Sequence, residues 1–483
     1  MLEKSNFPRW LLLGALAMAV GATLACNNDP AGSDVPYILT PITTGSLAGT
    51  PGRTLAETLI VEVRTADGKV VPGATVHWSL PQGGSLAVVG ASINGSMTGT
   101  TDDKGRTYAV WTLGLPEGSQ QAKVAVGLGD PATFTATATA LHVLAVSVGG
   151  DFVCAVLTDN RPACWGANRY GQLGTGDTLA SAAPVTPMGL TAVQDIQASA
   201  FGFTCARDMA GDVWCWGANN FGQAGPAAAQ PMQLVPVRVA GAGAASSLAV
   251  SGPSGGFACA VLSAGGAKCW GNNAGGRLGT GDAVSSATPR AVVGSADFAR
   301  ISTYDDRACA VTTAREVWCW GNASAGEFAP YPAGSYFTPI QPIPGSLLSE
   351  VELTYLANCG LGMSGEAICW GGSLDLGLGT IPTADPITAP VRPDADPPFA
   401  QVVSDGSGLV FGRTRDGQIV FWGTVGGDWT RFPTQLQMSL RAEQVAAGSN
   451  NYCIIAESGA LYCDTSLYWF DQGNGKLQAM PAP

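Results

Sequence analysis

The sequence predicts an all-β protein in two parts: an antiparallel β-sandwich over residues 41–141 and a seven-bladed β-propeller over 142–483. Three observations lead there. Glycine (65) and proline (31) are abundant while 46% of the 483 residues are hydrophobic, which suits short strands and tight turns better than long helices. Residues 41–141 alternate apolar and polar between turn pairs such as Asp67-Gly68. From Cys154 onward, cysteines recur in pairs separated by ten. A chain this long is expected to form two or more domains. With 12% charged residues and a net charge of −12, it lacks the general basic field that nucleic acid or anionic lipid would require.

The N-terminus reads as a targeting segment. Lys4 and Arg9 precede WLLLGALAMAVGATLA, an apolar run ending at Cys26. As a helix it would span roughly 24 Å, short of the ~30 Å hydrocarbon core, so a cleaved signal over 1–25 is expected rather than a membrane span. The stretch TLAC resembles the lipobox of bacterial lipoproteins. That resemblance implies lipidation of Cys26, with Thr23 standing where the family usually has Leu. Ordinary cleavage to a soluble secreted or periplasmic protein is the rival. Residues 26–40 are polar and read as a tether.

Residues 41–141 hold TLIVEVRTADGKVVPGATVHWSL and TGTTDDKGRTYAVWTLG, strand runs broken at Asp67-Gly68, Pro72-Gly73 and Lys104-Gly105. Five or more short strands predict an antiparallel sandwich. The pattern V-x-V-x-x-x-D-G-x-x-V-P-G-A-x-V resembles bacterial immunoglobulin-like domains of the invasin type, which implies a spacer. The two histidines, His77 and His142, have no acidic residue or second histidine at ligand spacing, so no metal is expected.

The propeller rests on six cysteine pairs: Cys154/Cys164, Cys205/Cys215, Cys259/Cys269, Cys309/Cys319, Cys359/Cys369 and Cys453/Cys463. Their first members follow at 51, 54, 50, 50 and 94 residues, and Phe411 divides the double gap. Phe411 and Phe421, again ten apart, are a seventh copy with both cysteines replaced. Disulfide partners tend to disappear together, since one alone would leave an unpaired thiol in an oxidising compartment. Thirteen cysteines are Cys26 plus six pairs. Free buried cysteines remain the rival, while zinc sites need four clustered ligands. Residues ten apart around a central turn fall opposite in a hairpin, within adjustment of disulfide distance, and each bond should stabilise by roughly 2–3 kcal/mol.

Trp165, Trp216, Trp270, Trp320, Trp370 and Trp422 follow the second Cys or Phe and so face the other way. Sheets with large apolar groups on both faces must be covered on both, which favours a ring of seven and assigns the Trp row to packing rather than to a ligand ladder. After each Trp comes a turn-rich stretch such as WGANRYGQLGTGD or WGNNAGGRLGTGD. Together with the preceding C-W, it resembles the repeat of the regulator of chromosome condensation family, which implies a seven-bladed propeller. Asp177 and Asp282 in GTGD are read as turn residues rather than calcium ligands. Where that family often carries His two residues before the Cys position, this chain has Phe152, Phe203, Phe257, Arg307, Ala357, Leu409 and Asn451.

The functional expectation is a non-catalytic, monomeric binding module of the cell envelope, held to the membrane by its lipid alone. It has a propeller head on a spacer and binds a protein or glycan without cofactor or metal. The alternative is a glycan hydrolase or lyase in the propeller pocket. No Ser/His/Asp set can be assembled, and Asp305-Asp306, a possible carboxylate pair, reads as a turn. Guanine-nucleotide exchange, implied by the resemblance, is the least favoured, because the export signal separates this chain from a cytosolic GTPase. The candidate partner-binding residues are Phe328, Tyr331, Tyr336 and Phe337, aromatics on the Pro-rich loop 322–350. Packing against the propeller rim is their alternative role.

Overall fold

The computed structural model describes residues 36–479 except 51–53, 81–83, 90–96, 115–117, 128, 140–141, 226–229, 253–254, 295–296, 355–356, 373–386, 392–397, 407, 426–427, 437, 439, 449–450 and 465–476. The export signal, Cys26 and most of the expected tether lie outside the described residues. The chain divides into two compact units, one up to residue 140 and one from 141 onward.

In the first unit the described residues form two sheets sharing one core. Tyr37–Pro41, Thr54–Thr65, Arg106–Thr112 and Ser85–Val88 pair in that order, and Leu47–Gly49, Ala132–Ala138, Gly118–Ala125, Thr75–Ser79 and Thr98–Thr100 form the second sheet. Alternation places Leu59, Val61 and Trp111 of one sheet against Trp78, Val124 and Phe134 of the other. Two expectations are corrected. Residues 37–40 belong to a strand rather than to the tether, because Tyr37 is buried in the core and Tyr37–Pro41 pairs with Val61–Thr65. The sandwich is also not wholly antiparallel. Leu47–Gly49 runs parallel to Ala136–Ala138, which buries Leu47.

In the second unit the described residues form seven successive four-stranded antiparallel sheets, each taken from one continuous stretch of chain. They are numbered blades 1–7 in chain order. Their inner strands are Val143–Val148, Val193–Ala198, Ala245–Val250, Phe298–Tyr304, Leu348–Leu353, Phe399–Ser404 and Ala442–Gly448. The second and third strands are the hairpins that carry the Cys and Phe pairs. Cys154 stands opposite Cys164, Cys205 opposite Cys215, and Cys259 opposite Cys269. Cys309 faces Cys319, Cys359 faces Cys369, and Cys453 faces Cys463. Phe411 faces Phe421 in the same register. Each of these six cysteine pairs is disulfide-bonded within its own hairpin, with Cα–Cα distances of 4.0–4.1 Å, which removes the rival of free buried cysteines.

The packing between blades follows the pleat. The Cys154–Cys164 bond of blade 1 lies in one cluster with Trp216 of blade 2. Cys205–Cys215 packs likewise with Trp270, Cys259–Cys269 with Trp320, and Cys309–Cys319 with Trp370. Cys359–Cys369 of blade 5 lies with Trp422 of blade 6. The ring closes the same way: Cys453 and Cys463 of blade 7 pack with Trp165 of blade 1. Asn451 Nδ2 donates to the Gly150 carbonyl across that seam at 3.0 Å. The Gly after each Trp starts a bulge. Gly217 has φ of +96°, and a Cβ there would stand 2.7 Å from the Phe203 backbone on the paired strand.

Candidate functional site

The recurring polar letters of the repeat are consumed by the fold. In blade 1, Asn168 Oδ1 accepts from the Leu173 amide while its Nδ2 donates to Asp177 Oδ1. Asp177 also accepts from Thr175 Oγ1 and the Leu179 amide, so it closes a turn. Gln172 accepts from the Tyr170 amide, and its own carbonyl accepts from Trp216 Nε1 of the next blade at 2.7 Å. Trp270 and Trp320 repeat that bond onto Gln223 and Arg277. Asp282 takes the place of Asp177 in blade 3, and Arg290 at 2.6 Å holds its carboxyl well below the usual range. These motif residues join turn to turn and blade to blade.

The other sequence candidates separate. Phe328 is fully buried in the cluster holding the blade 4 disulfide, so it is core and not a contact residue. The cause is local: the Gly326–Tyr331 turns fold the loop inward, with Ala329 and Tyr331 amides bonded to the carbonyls of Gly326 and Phe328. Tyr336 is half-buried against Phe328, its hydroxyl donating to the Pro332 carbonyl. Tyr331 and Phe337 are each 38% exposed, and Phe337 lies over Gly276 of blade 3. Asp306 Oδ2 accepts from Asn322 Nδ2 and the Asp305 carbonyl accepts from Arg277, so this pair belongs to a turn. His77 meets Thr98, and the His142 ring rests on Gly459.

The sequence reading placed an alternative function in the propeller pocket but named none of the residues that line it. The inner strands surround a cavity of about 410 Å³ lined by residues from all seven blades. Each inner strand has the same bulge, after which two positions face inward. The first holds Asp195, Arg300 and Glu350 in blades 2, 4 and 5, and the second holds Gln197, Ser302 and Glu352. Asp195 Oδ1 accepts from Gln197 Nε2 at 2.9 Å, and Glu350 Oε1 accepts from the Val402 amide of blade 6 at 2.9 Å. Burial pushes both carboxyls up. Burial, then the Glu350 charge, pushes Glu352 to about 8 against an opposing hydrogen bond from Ser302.

The cavity has a floor. Tyr304, 9% exposed, ends the blade 4 inner strand, with its ring against Gly252 of blade 3 and Gly406 of blade 6. A Cβ at those glycines would stand 3.2 and 2.4 Å from the ring. The Arg300 side chain, 65% exposed, marks the open end. Four steps along the strand separate the two, a depth of roughly 13 Å. A sequence signal existed: polar or charged residues flank the core aliphatic in VQDIQA and LSEVEL. It changes from blade to blade and so escapes a search for repeats.

Comparison with known proteins agrees with this geometry. Residues 143–172 and 164–206 match models of the regulator of chromosome condensation (RCC1) repeat. The chain is similar to yeast RCC1 (Prp20) as seen bound to Kap60, with TM-score 0.54 and 18% identity over 64% of this chain and 78% of that one. It is similar to Prp20p of Saccharomyces cerevisiae, whose binding to Gsp1p and histones has been described (0.55, 19%, 63% and 80%). Human WBSCR16 is a further structural neighbour (0.55, 16%, 78% and 97%). At such identities the likeness establishes the fold: an RCC1-like propeller.

Proposed function

We propose that this chain is a non-catalytic binding module of the cell envelope: exported, lipid-anchored at Cys26, and bearing the propeller as a head that takes a protein or glycan. The sandwich serves it as an immunoglobulin-like spacer. The observation that carries the reading is the axial well. The repeat's own polar residues are spent on turns and blade contacts, whereas the well gathers charged groups that differ from blade to blade. Six disulfides suit an oxidising compartment. The yeast neighbour of the same fold is seen bound to Kap60, which supports a binding role. The test is capture of cell-surface material by the oxidised full chain. Capture lost on heat-unfolding supports the reading, and equal capture by the unfolded control overturns it. Loss of labelled palmitate in Cys26→Ala tests the anchor.

One observation favours the alternative of a glycan hydrolase or lyase: a carboxyl near 8 within a pocket suits a general acid. Against it, Glu350 and Glu352 stand two residues apart on one strand and share one wall, so that pair does not flank a bond from opposite sides, and Asp195 on another wall already accepts from Gln197. Glycan turnover abolished in Glu352→Gln would establish the alternative.

A further inference from the structure

We propose that the axial well is a binding site for a compact organic cation, a primary ammonium or guanidinium group, entering past Arg300 and held by Asp195, Glu350 and Glu352 with Gln197 and Ser302. The inference deepens the binding reading above and rests on it. The well is built for a small ligand: about 410 Å³, open at one end and floored by Tyr304 at the other. Among the described residues four carboxylates line it. Asp405 accepts from the Leu409 amide, and Asp195, Glu350 and Glu352 are the three that would hold the ligand. The one cation in the described lining, Arg300, is a loose partner. Its Nη1 lies 3.9 Å from Glu350 Oε2, and its side chain leans into solvent. An incoming cation can therefore replace Arg300 without breaking a close ion pair.

The acceptors also select the kind of cation. Among the described residues no three His, Cys, Asp or Glu side chains converge as metal ligands. The carboxylates stand on blades 2 and 5, on separate walls of the well. That spacing fits a group presenting several N–H donors in different directions, with Gln197 and Ser302 as further acceptors. Binding is coupled to protons. Glu352 is faced by Glu350 on its own strand, by Arg300 and Ser302 from blade 4, by Asp195 from blade 2 and by Asp405 from blade 6. Arg207 and Arg413 act on Asp195 and Glu350 from the second strands of blades 2 and 6. A bound cation favours the ionised carboxylate, so a proton leaves as the ligand enters, and affinity rises with pH until Glu352 is already ionised.

The test is calorimetric titration of the oxidised full chain with spermidine, as a free amine, and with acetyl-Gly-Lys-Gly-amide, as a presented side chain. Binding of either supports the site if affinity rises about tenfold from pH 6 to 8, falls at least tenfold in Glu352→Gln and tightens in Arg300→Ala. Spermidine alone would identify a free cation, the peptide alone a side chain of a partner. Near-ultraviolet circular dichroism checks that each variant keeps its packed tryptophans. Absence of binding in both arms, or binding indifferent to Glu352→Gln in a folded variant, overturns the proposal. Surface capture that persists in folded Glu352→Gln would overturn this site while leaving the broader binding reading intact.

Discussion

Blades 3 and 6 meet their next neighbours in two ways. In blade 3, Cys259–Cys269 packs against Ala308, Ala310 and Trp320, a flat staple facing two small residues and one large ring. In blade 6, Phe411 and Phe421 pack against Tyr452 and Ile454, with 5.1 Å between the Phe411 and Tyr452 ring centroids. Blade 7 carries Asp464 at the position where the other six blades have Trp. The phenylalanines therefore do more than replace a covalent link. They fill, together with Tyr452 and Ile454, the volume that a tryptophan occupies at the other six interfaces. One blade's departure is answered in the next, and total volume is kept.

The largest test of this contrast is truncation. Phe411→Ala removes a ring from a fully buried interface and should cost about 3–5 kcal/mol by denaturant unfolding. Cys259→Ala with Cys269→Ala should cost less, about 2–3 kcal/mol, because the small residues of blade 4 and Trp320 remain in contact. If the disulfide variant were the more damaged of the two, volume filling would not be what holds blade 6.

Blade 4 offers a second answered departure. Arg307 stands where three blades have Phe, and it is buried beside Glu327, which stands where blades 1 and 2 have Gln172 and Gln223. Glu327→Gln should destabilise by about 2 kcal/mol, since it strips a buried guanidinium of one of its two carboxylates while Asp306 and the Thr354 carbonyl still serve it. Adding Arg307→Phe should recover part of that loss, as measured by the change in melting temperature.

Glu352 is a departure without such an answer, and the sign of its effect differs. Its carboxyl, at about 8 in the folded chain against 4.5 unfolded, keeps a proton that the unfolded chain releases between those values. Stability contributed by this group is therefore present below pH 4.5 and lost as pH rises toward 8. Glu352→Gln cannot ionise, so it should be more stable than the parent at about pH 8 and no different in acid, where the parent carboxyl is protonated in both states. Equal pH profiles for the two proteins would mean that the carboxylate is already compensated.

Much of this architecture was legible because its signals repeat. The ten-residue spacing marks the hairpins, and the following Trp marks the opposite face. The well was not legible for the converse reason: Asp195, Arg300 and Glu352 occupy equivalent strands with unlike chemistry, and only closure of the ring brings them to one axis. Phe328 had two readings, contact residue or rim packing, and the backbone turns that fold it under the rim decide for packing. Tyr37 reads as tether because a single strand preceding its first partner has no alternation long enough to recognise.

The short span of each disulfide has a consequence for biogenesis. Both sulfurs of a bond sit on one hairpin, ten residues apart, so neither has to wait for a distant part of the chain. In an oxidising compartment each cysteine can meet its correct mate within its own hairpin, independently of the next pair. Oxidation hairpin by hairpin gives the native set, and a shuffling isomerase has little left to repair.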